Sequence, residues 1–330
     1  MSLNSASVVR LPDLTPIEVS SITVETDFDS WCWALTATLK GKDTWELVKP
    51  INSLPREVLV TINGLEWKFM LDVPSQNRAF NSESNSLKGR SRSAWMNDPY
   101  VKNVDRHETQ AREMVQLAEK AIENTGWTLD WQLENWVVPG GRYNSLNTPI
   151  GALIRLVNVT DDGLYTDPAL QVMTAYKRWP VASWLIDGAT ADVGIPDAAL
   201  ISLSRSPVYT TPLNGVYVSG INFGVLAFVK IAGTDGALQP DAPFVDELIC
   251  DEAGVAARQR GLNILSKAGA GFTLECETLL NDEVGLIIPG KIIEVAGIKG
   301  VTRSVRISAQ WQNGLQVRQS IGLERREIGE

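Results

Sequence analysis

Val58-Leu59-Val60-Thr61-Ile62-Asn63-Gly64-Leu65-Glu66-Trp67-Lys68-Phe69-Met70 is the stretch on which the fold turns. Apolar and polar residues alternate on both sides of Asn63-Gly64. An Asn-Gly pair between two alternating runs predicts a two-residue hairpin, because a type I′ turn needs positive φ at both central positions. Nearer the amino terminus Ile17 to Val24 alternates in the same way, and so does Trp33 to Leu39, with Gly41 as the turn residue after it. The first block therefore predicts a small antiparallel barrel or sandwich. Residues 74–104 are polar and irregular. The Asn- and Ser-rich run Asn77 to Asn85 is expected to be a mobile loop. Lys88-Gly89-Arg90-Ser91-Arg92 carries three positive charges. It reads either as a solvated loop or strand end, or as a contact to an acidic neighbouring subunit.

The middle of the chain changes period. Ala111, Met114, Val115, Ala118, Ala121 and Ile122 recur at helical spacing, predicting a helix capped by Asp105 with Glu108 completing a capping box and Gly126 ending it. A short strand, Trp127 to Leu133, and a Pro139-Gly140-Gly141 turn follow. Thr148 caps a second helix with Pro149 at its first position, and Ile150, Leu153, Ile154 and Val157 form its buried stripe. Asp161-Asp162-Gly163 turns the chain toward a strand around Leu170 to Met173. From about residue 196 the pattern is β-rich again. Val216 to Gly220 and Val225 to Ile231 predict paired strands, Glu252 to Lys267 a weakly amphipathic helix, and Phe272 to Leu280 a strand. Two strands are expected in Leu286 to Val295, broken by Pro289-Gly290. A last hairpin, Gly300 to Ala309 and Leu315 to Leu323, turns at Asn313-Gly314.

The expected fold class is α+β and β-rich: two small antiparallel β-barrel domains with an inserted α/β domain and a short helix-containing segment. The expected boundaries are 1–100 for the first barrel, 101–190 for the insert and 191–330 for the second barrel, with a small helical insertion near 250–280. Two β blocks around an insert suggest a duplication, although no repeat is visible residue by residue.

Composition narrows the chemistry. The net charge of −9 disfavours direct binding to nucleic-acid phosphate. His107 is the only histidine, which removes two-histidine zinc sites. Cys32, Cys250 and Cys276 form no CxxC motif, and buried reduced thiols fit a reducing cytoplasm. No run of apolar residues is long enough to span a membrane. No phosphate-loop, dinucleotide or nucleophile-elbow motif occurs. Asp161-Asp162 and Asp246-Glu247 could hold a metal or serve a glycosidase, but among 39 acidic residues adjacency is expected by chance. The expectation is no enzyme: no catalytic, cofactor-binding or metal residue, and no cofactor. The 11 Trp are spread from Trp31 to Trp311, as suits several small cores or a large assembly surface.

Three stretches carry a resemblance. Leu87-Lys88-Gly89-Arg90-Ser91-Arg92-Ser93 looks like a strand ending in a Gly-Arg-Ser turn before an insert. Ile150 to Trp179 is similar to a helix, then a strand, then an aromatic-Pro closing turn at Lys177-Arg178-Trp179-Pro180. Ile288-Pro289-Gly290-Lys291-Ile292-Ile293-Glu294-Val295 resembles a Pro-Gly lead-in to a final hairpin, which Val317 to Arg325 closes. In order and spacing, roughly residues 15–326 resemble the baseplate or tail-hub proteins of tailed phages and the related base of the type VI secretion spike. The resemblance implies a homotrimer whose two β-barrels per subunit adapt a six-fold tail tube to a three-fold central fibre or spike. It implies closure of the tail channel before DNA ejection, with exposed Trp and Arg as interface anchors. The implied partners are a distal tail or tail-tube ring protein, the tape-measure protein and a fibre or spike protein, in a virion assembled in the host cytoplasm. No sequence-specific nucleic acid is implied. Two other readings remain open: another virion ring protein, or a carbohydrate-binding or hydrolysing β protein.

Overall fold

A computed structural model describes residues 4–327 apart from 42–43, 73, 80–81, 222–224 and 312–313, and without the side chains of 76–79 and 82–84. In chain order the strands discussed are β1 (Ala6–Leu11), β2 (Val19–Asp27), β3 (Ala34–Leu39), β4 (Glu57–Ile62), β5 (Leu65–Met70), β6 (Ser75–Ala79), β7 (Ser82–Ser91), β8 (Val104–His107), β9 (Thr128–Trp131), β10 (Asn144–Asn147), β11 (Gly163–Thr166) and β12 (Val172–Tyr176). They continue as β13 (Leu200–Tyr209), β14 (Gly215–Ser219), β15 (Leu226–Lys230), β16 (Ala270–Leu279), β17 (Ile292–Val295), β18 (Ile298–Trp311) and β19 (Leu315–Arg326). The helices discussed are α1 (Met114–Ala121), α2 (Pro149–Val157) and α3 (Val255–Ser266). Strands predominate, so the α+β, β-rich class holds.

The deciding hairpin forms as its sequence demands. β4 pairs antiparallel with β5 from Glu57 opposite Met70 to Ile62 opposite Leu65. Asn63 and Gly64 take φ of 46° and 83°, the left-handed pair that a type I′ turn requires. Val58, Val60 and Ile62 are fully buried on one face. Trp33 and Trp67 meet edge to face beneath them, with ring centroids 6.0 Å apart.

β-Strands from both ends of the chain join one 14-stranded sheet. Its path runs β13-β16-β19-β18-β2-β3-β7-β5-β4-β1, with β6 pairing β7 and β17 pairing β18 off that path. The contact between the first and last β blocks is the antiparallel pair β18–β2, in register from Ser304 opposite Asp27 to Gln310 opposite Ser21. One apolar core serves both blocks: Ile22, Val24, Leu35 and Leu87 from the first share it with Leu274, Cys276, Ile307 and Ile321 from the last.

A second core joins α1 and α2, the small sheet β9-β12-β11, and the packing of α3 against β14 and β15. Thr148 caps α2 as expected, its hydroxyl accepting from the Gly151 N–H at 3.1 Å. α1 starts later than its apolar spacing suggested. Residues 104–107 are instead β8, paired with β10, and Glu113 with Gln116 forms the capping box. Ala111 is exposed, while Leu117 takes the buried position. The ladder to β10 satisfies the 104–107 backbone, so the local Asp105–Glu108 cap loses to a tertiary pairing.

Other differences have similar causes. Asn77 to Asn85, expected as a mobile loop, falls within the β6–β7 pair, with 80–81 outside the described residues. In Leu286 to Val295 only the second strand forms, because the Ile287 N–H bonds the Gln319 side chain at 3.1 Å rather than a ladder partner. Gly290 has φ 87°, and a Cβ there would lie 2.3 Å from the Tyr176 ring. Asn313 of the expected final turn lies outside the described residues. β13, a full ten-residue strand, was not among the expected strands.

Candidate assembly surface

Eight strands of the large sheet fall into two groups of four. In the amino-terminal group the order across the sheet is β2-β3-β7-β6. In the carboxyl-terminal group it is β13-β16-β19-β18. Counted along the chain, both groups read first, second, fourth, third. Each also carries a bulge near the start of its first strand, between Val19 and Ser21 in β2 and between Leu200 and Ser202 in β13. A bulge inserts one residue and bends the strand, so the shared position aligns the groups residue by residue. Ser20 then corresponds to Ile201, Ile22 to Leu203, Thr23 to Ser204 and Glu25 to Ser206. Through the ladders, Ser75 of β6 corresponds to Arg306 of β18.

Because side chains alternate, the ladders also define one face shared by all eight strands. On it Ser202, Ser204 and Ser206 stand beside Glu277, Glu275 and Thr273. Arg318 and Ser320 lead on to Ser308 and Arg306, then to Thr23 and Glu25, then to Thr36 and Thr38, and finally to Ser86 and Ser75. The face is rich in Ser and Thr, and two opposite-charge pairs lie on it. Arg306 meets Glu25 at 2.7 Å across the junction of the groups, and Arg318 meets Glu277 at 3.2 Å. The opposite face of the same strands is the apolar core.

The outer edge of β13 has no partner strand among the described residues, and neither does that of β6. β13 is exposed almost throughout. Leu203 stands opposite the buried Cys276 on the core face, yet it is 37% exposed, and the bulge residue Ile201 and Tyr209 are 43% and 79% exposed. The matching Ile22 of β2 is 0% exposed. A long edge strand with unpaired backbone groups and bare apolar side chains is a template for another strand.

A largely half-buried ionic cluster fastens the sheet to the rest of the chain. The bulge between Thr302 and Ser304 turns Arg303 inward. Arg303 donates to Glu324 at 2.6 Å and to the Arg178 carbonyl at 2.6 Å, with its guanidinium 4.3 Å from the Trp179 ring centroid. Burial lowers the Arg303 pKa despite its partner. Burial also opposes ionisation of Glu324, but Arg303 and Arg326 hold its carboxyl below the ordinary value. Arg178 reaches Asp29 at 2.6 Å and Asp161 at 3.3 Å, and Asp161 also binds Lys267. Asp162 is buried, which raises its pKa, and accepts from Thr160, the Arg178 N–H, Asn263 and Gln259.

Most residues singled out in the sequence have structural partners. Asp161-Asp162 is this fastening. Asp246 accepts from the Leu248 N–H at 2.8 Å and meets Arg155 at 3.0 Å, while Glu247 lies 3.5 Å from Arg155. His107 lies exposed on β8, facing Asn144. Arg90 pairs with Asp72 at 2.5 Å and Arg92 with Glu57 at 3.1 Å, so two of the three cations at the end of β7 are used within the chain. Cys276 and Cys250 are buried and Cys32 half-buried, and burial pushes the thiols up, to about 11, about 11 and about 12. The expectation of exposed Trp anchors fails: every Trp is buried or half-buried. Their rings serve internal cores, with the Trp33 indole donating to Thr166 and that of Trp136 to Leu248. Exposed large apolar side chains include Ile201, Leu203 and Tyr209 on β13, and Tyr217, Leu226 and Phe228 on the β14–β15 pair.

No protein-family model matches the sequence, and no curated protein sequence matches it. Solved structures match in fold. A tail protein from Neisseria meningitidis MC58 superposes with a TM-score of 0.68 at 12% identity, over 98% of this chain and 97% of that one. The 43 kDa tail protein of prophage MuSo2 from Shewanella oneidensis gives 0.63 at 14% identity, over 97% and 98%. An E. coli component of the type VI secretion system, itself structurally similar to T4 bacteriophage tail proteins, gives 0.56 at 12% identity, over 97% and 76%. The chain therefore has the fold of phage tail proteins and of this secretion component, in keeping with the resemblance in its segment order.

Proposed function

We propose that this chain is a structural hub of a phage tail tip or baseplate, three copies of which form a ring. The observation that carries the reading is the repeated four-strand group, joined to its twin within the chain and left without a partner strand along the edges of β6 and β13 among the described residues. Two alike groups per copy give six in a trimer, so a three-fold ring can offer a nearly six-fold face to a tail tube. The tail-protein fold of the neighbours fits such a role. The Ser- and Thr-rich face would line the bore. Arg90, Arg306 and Arg318 on it each pair with a carboxylate, which leaves little free positive charge to hold DNA phosphate, so a passing strand would slide rather than stick.

In this reading the role is non-enzymatic. The six-fold face meets a distal tail or tail-tube ring protein, and the three-fold remainder receives a fibre or spike protein. The tape-measure protein and DNA occupy the bore until the hub domains move. The exposed patch of Tyr217, Leu226 and Phe228 is suited to one of these partners. The test is the mass of the purified assembly, together with electron microscopy of the particle. Three copies at the tail tip support the proposal; a six- or twelve-fold ring, or a position away from the tip, overturns it.

A further inference from the structure

Resting on the ring reading, we propose that β6 of one copy pairs antiparallel with β13 of the next, with Ser75 opposite Ser206 and Ala79 opposite Ser202. The junction already present inside the chain sets this register. There the third strand along the chain in the carboxyl-terminal group, β18, pairs with the first strand of the amino-terminal group, β2. At the outer edges the strands holding those two places are β6 and β13, and neither edge has a partner among the described residues. Arg306 stands opposite Glu25 in the internal junction. Their counterparts, aligned on the shared bulge, are Ser75 and Ser206. Gln310 stands opposite Ser21, whose counterparts are Ala79 and Ser202.

Three further observations agree. The proposed register runs β6 along residues 202–206, inside the exposed span of β13. Ser75 and Ser206 both belong to the polar face: the Ser75 hydroxyl lies 2.8 Å from that of Ser86, and Ser206 stands opposite Thr273. The core-facing Leu203 is 37% exposed where its counterpart Ile22 of β2 is fully covered. A neighbouring copy would complete both the ladder and the apolar layer. Where the internal junction has an Arg–Glu pair, the external one has two serines. The interchain seam therefore relies on backbone hydrogen bonds and apolar cover, and salt should weaken it little.

The test uses full-length chains carrying Ser75→Cys together with a single cysteine at position 202, 204, 206 or 208 in turn. Directly opposed residues in antiparallel strands lie within disulfide reach, and a shift of two residues leaves it. Mild oxidation followed by denaturing electrophoresis should give covalent dimers and trimers, most strongly for Ser75→Cys with Ser206→Cys. Ser75→Cys with Arg205→Cys should give none, because Arg205 faces the core side. A three-copy mass with the maximum at another position, or with no covalent product, overturns the junction and leaves the ring standing. A mass of one copy under all conditions removes the ring reading and this junction with it.

Discussion

β2 and β13 hold the same place in the two four-strand groups, with a bulge at the same point, and they live in opposite surroundings. β2 has a strand on each side and its apolar residues are enclosed. β13 has a strand on one side only, and Ile201, Leu203 and Tyr209 are bare. The connections to the second strand of each group differ as well. β2 passes to β3 through a short turn, whereas between β13 and β16 the chain builds β14, β15 and α3. A repeated plan inside one chain thus works as its own control. Where one group buries a residue that the other exposes, the difference marks the surface that the proposed ring would cover.

The largest effect is expected at the feature placed only in the carboxyl-terminal group, the Arg303–Glu324 pair at its second bulge. Glu324→Gln leaves a buried guanidinium without its counter-charge and should cost about 3–5 kcal/mol in chemical denaturation. A loss under about 1 kcal/mol would mean that the guanidinium stays solvated and the cluster does not fasten the sheet.

Next comes the matched pair on β2 and β13. Ile22→Ala should destabilise the single chain by about 2–5 kcal/mol, because it opens a cavity in the shared core. Leu203→Ala, at the equivalent position, should change single-chain stability by less than about 0.5 kcal/mol, yet shift the assembly to higher concentration in sedimentation. Equal costs in the single chain would show that β13 is already packed.

The pH dependence sharpens the contrast between the buried acids. Glu324 titrates below its ordinary value in the folded chain. Its contribution is therefore complete above about pH 4.3, the usual unfolded value, and is lost as pH falls through the lower folded one. Asp162 is raised by burial, so its contribution is complete below about pH 3.9 and is lost as pH rises through the folded value. Unfolding series in acid should show a shallower low-pH limb for Glu324→Gln than for the wild type, and a steeper one for Asp162→Asn. Parallel limbs would reject both assignments.

The smallest effect is expected at the internal junction itself. Arg306→Gln removes an exposed pair with Glu25 and should cost less than about 1 kcal/mol, shrinking further at high salt. A larger loss would mean that charge pairing, not the backbone ladder, joins the two groups.

Local chemistry was legible wherever a residue type forces a backbone state. Asn63-Gly64 dictates its turn because few other residue pairs tolerate two positive φ values, and Thr148-Pro149 starts α2 because the hydroxyl and the fixed φ suit a helix amino terminus. The β-rich class followed from period-2 alternation in both terminal blocks. The tertiary structure alone decided that β8 replaces the first turns of a helix, since that rests on a ladder to β10 far along the chain. It alone decided that the Trp residues turn inward, since composition counts side chains without placing them. β13 went unread because its neighbours leave both faces wet, so its alternation of Ser with apolar residues carries no burial signal. The internal repeat was hidden for the same physical reason. Strand order and the position of a bulge are set by backbone hydrogen bonds, which many side chains satisfy equally, so the repeat survives in the ladders and not in the residues.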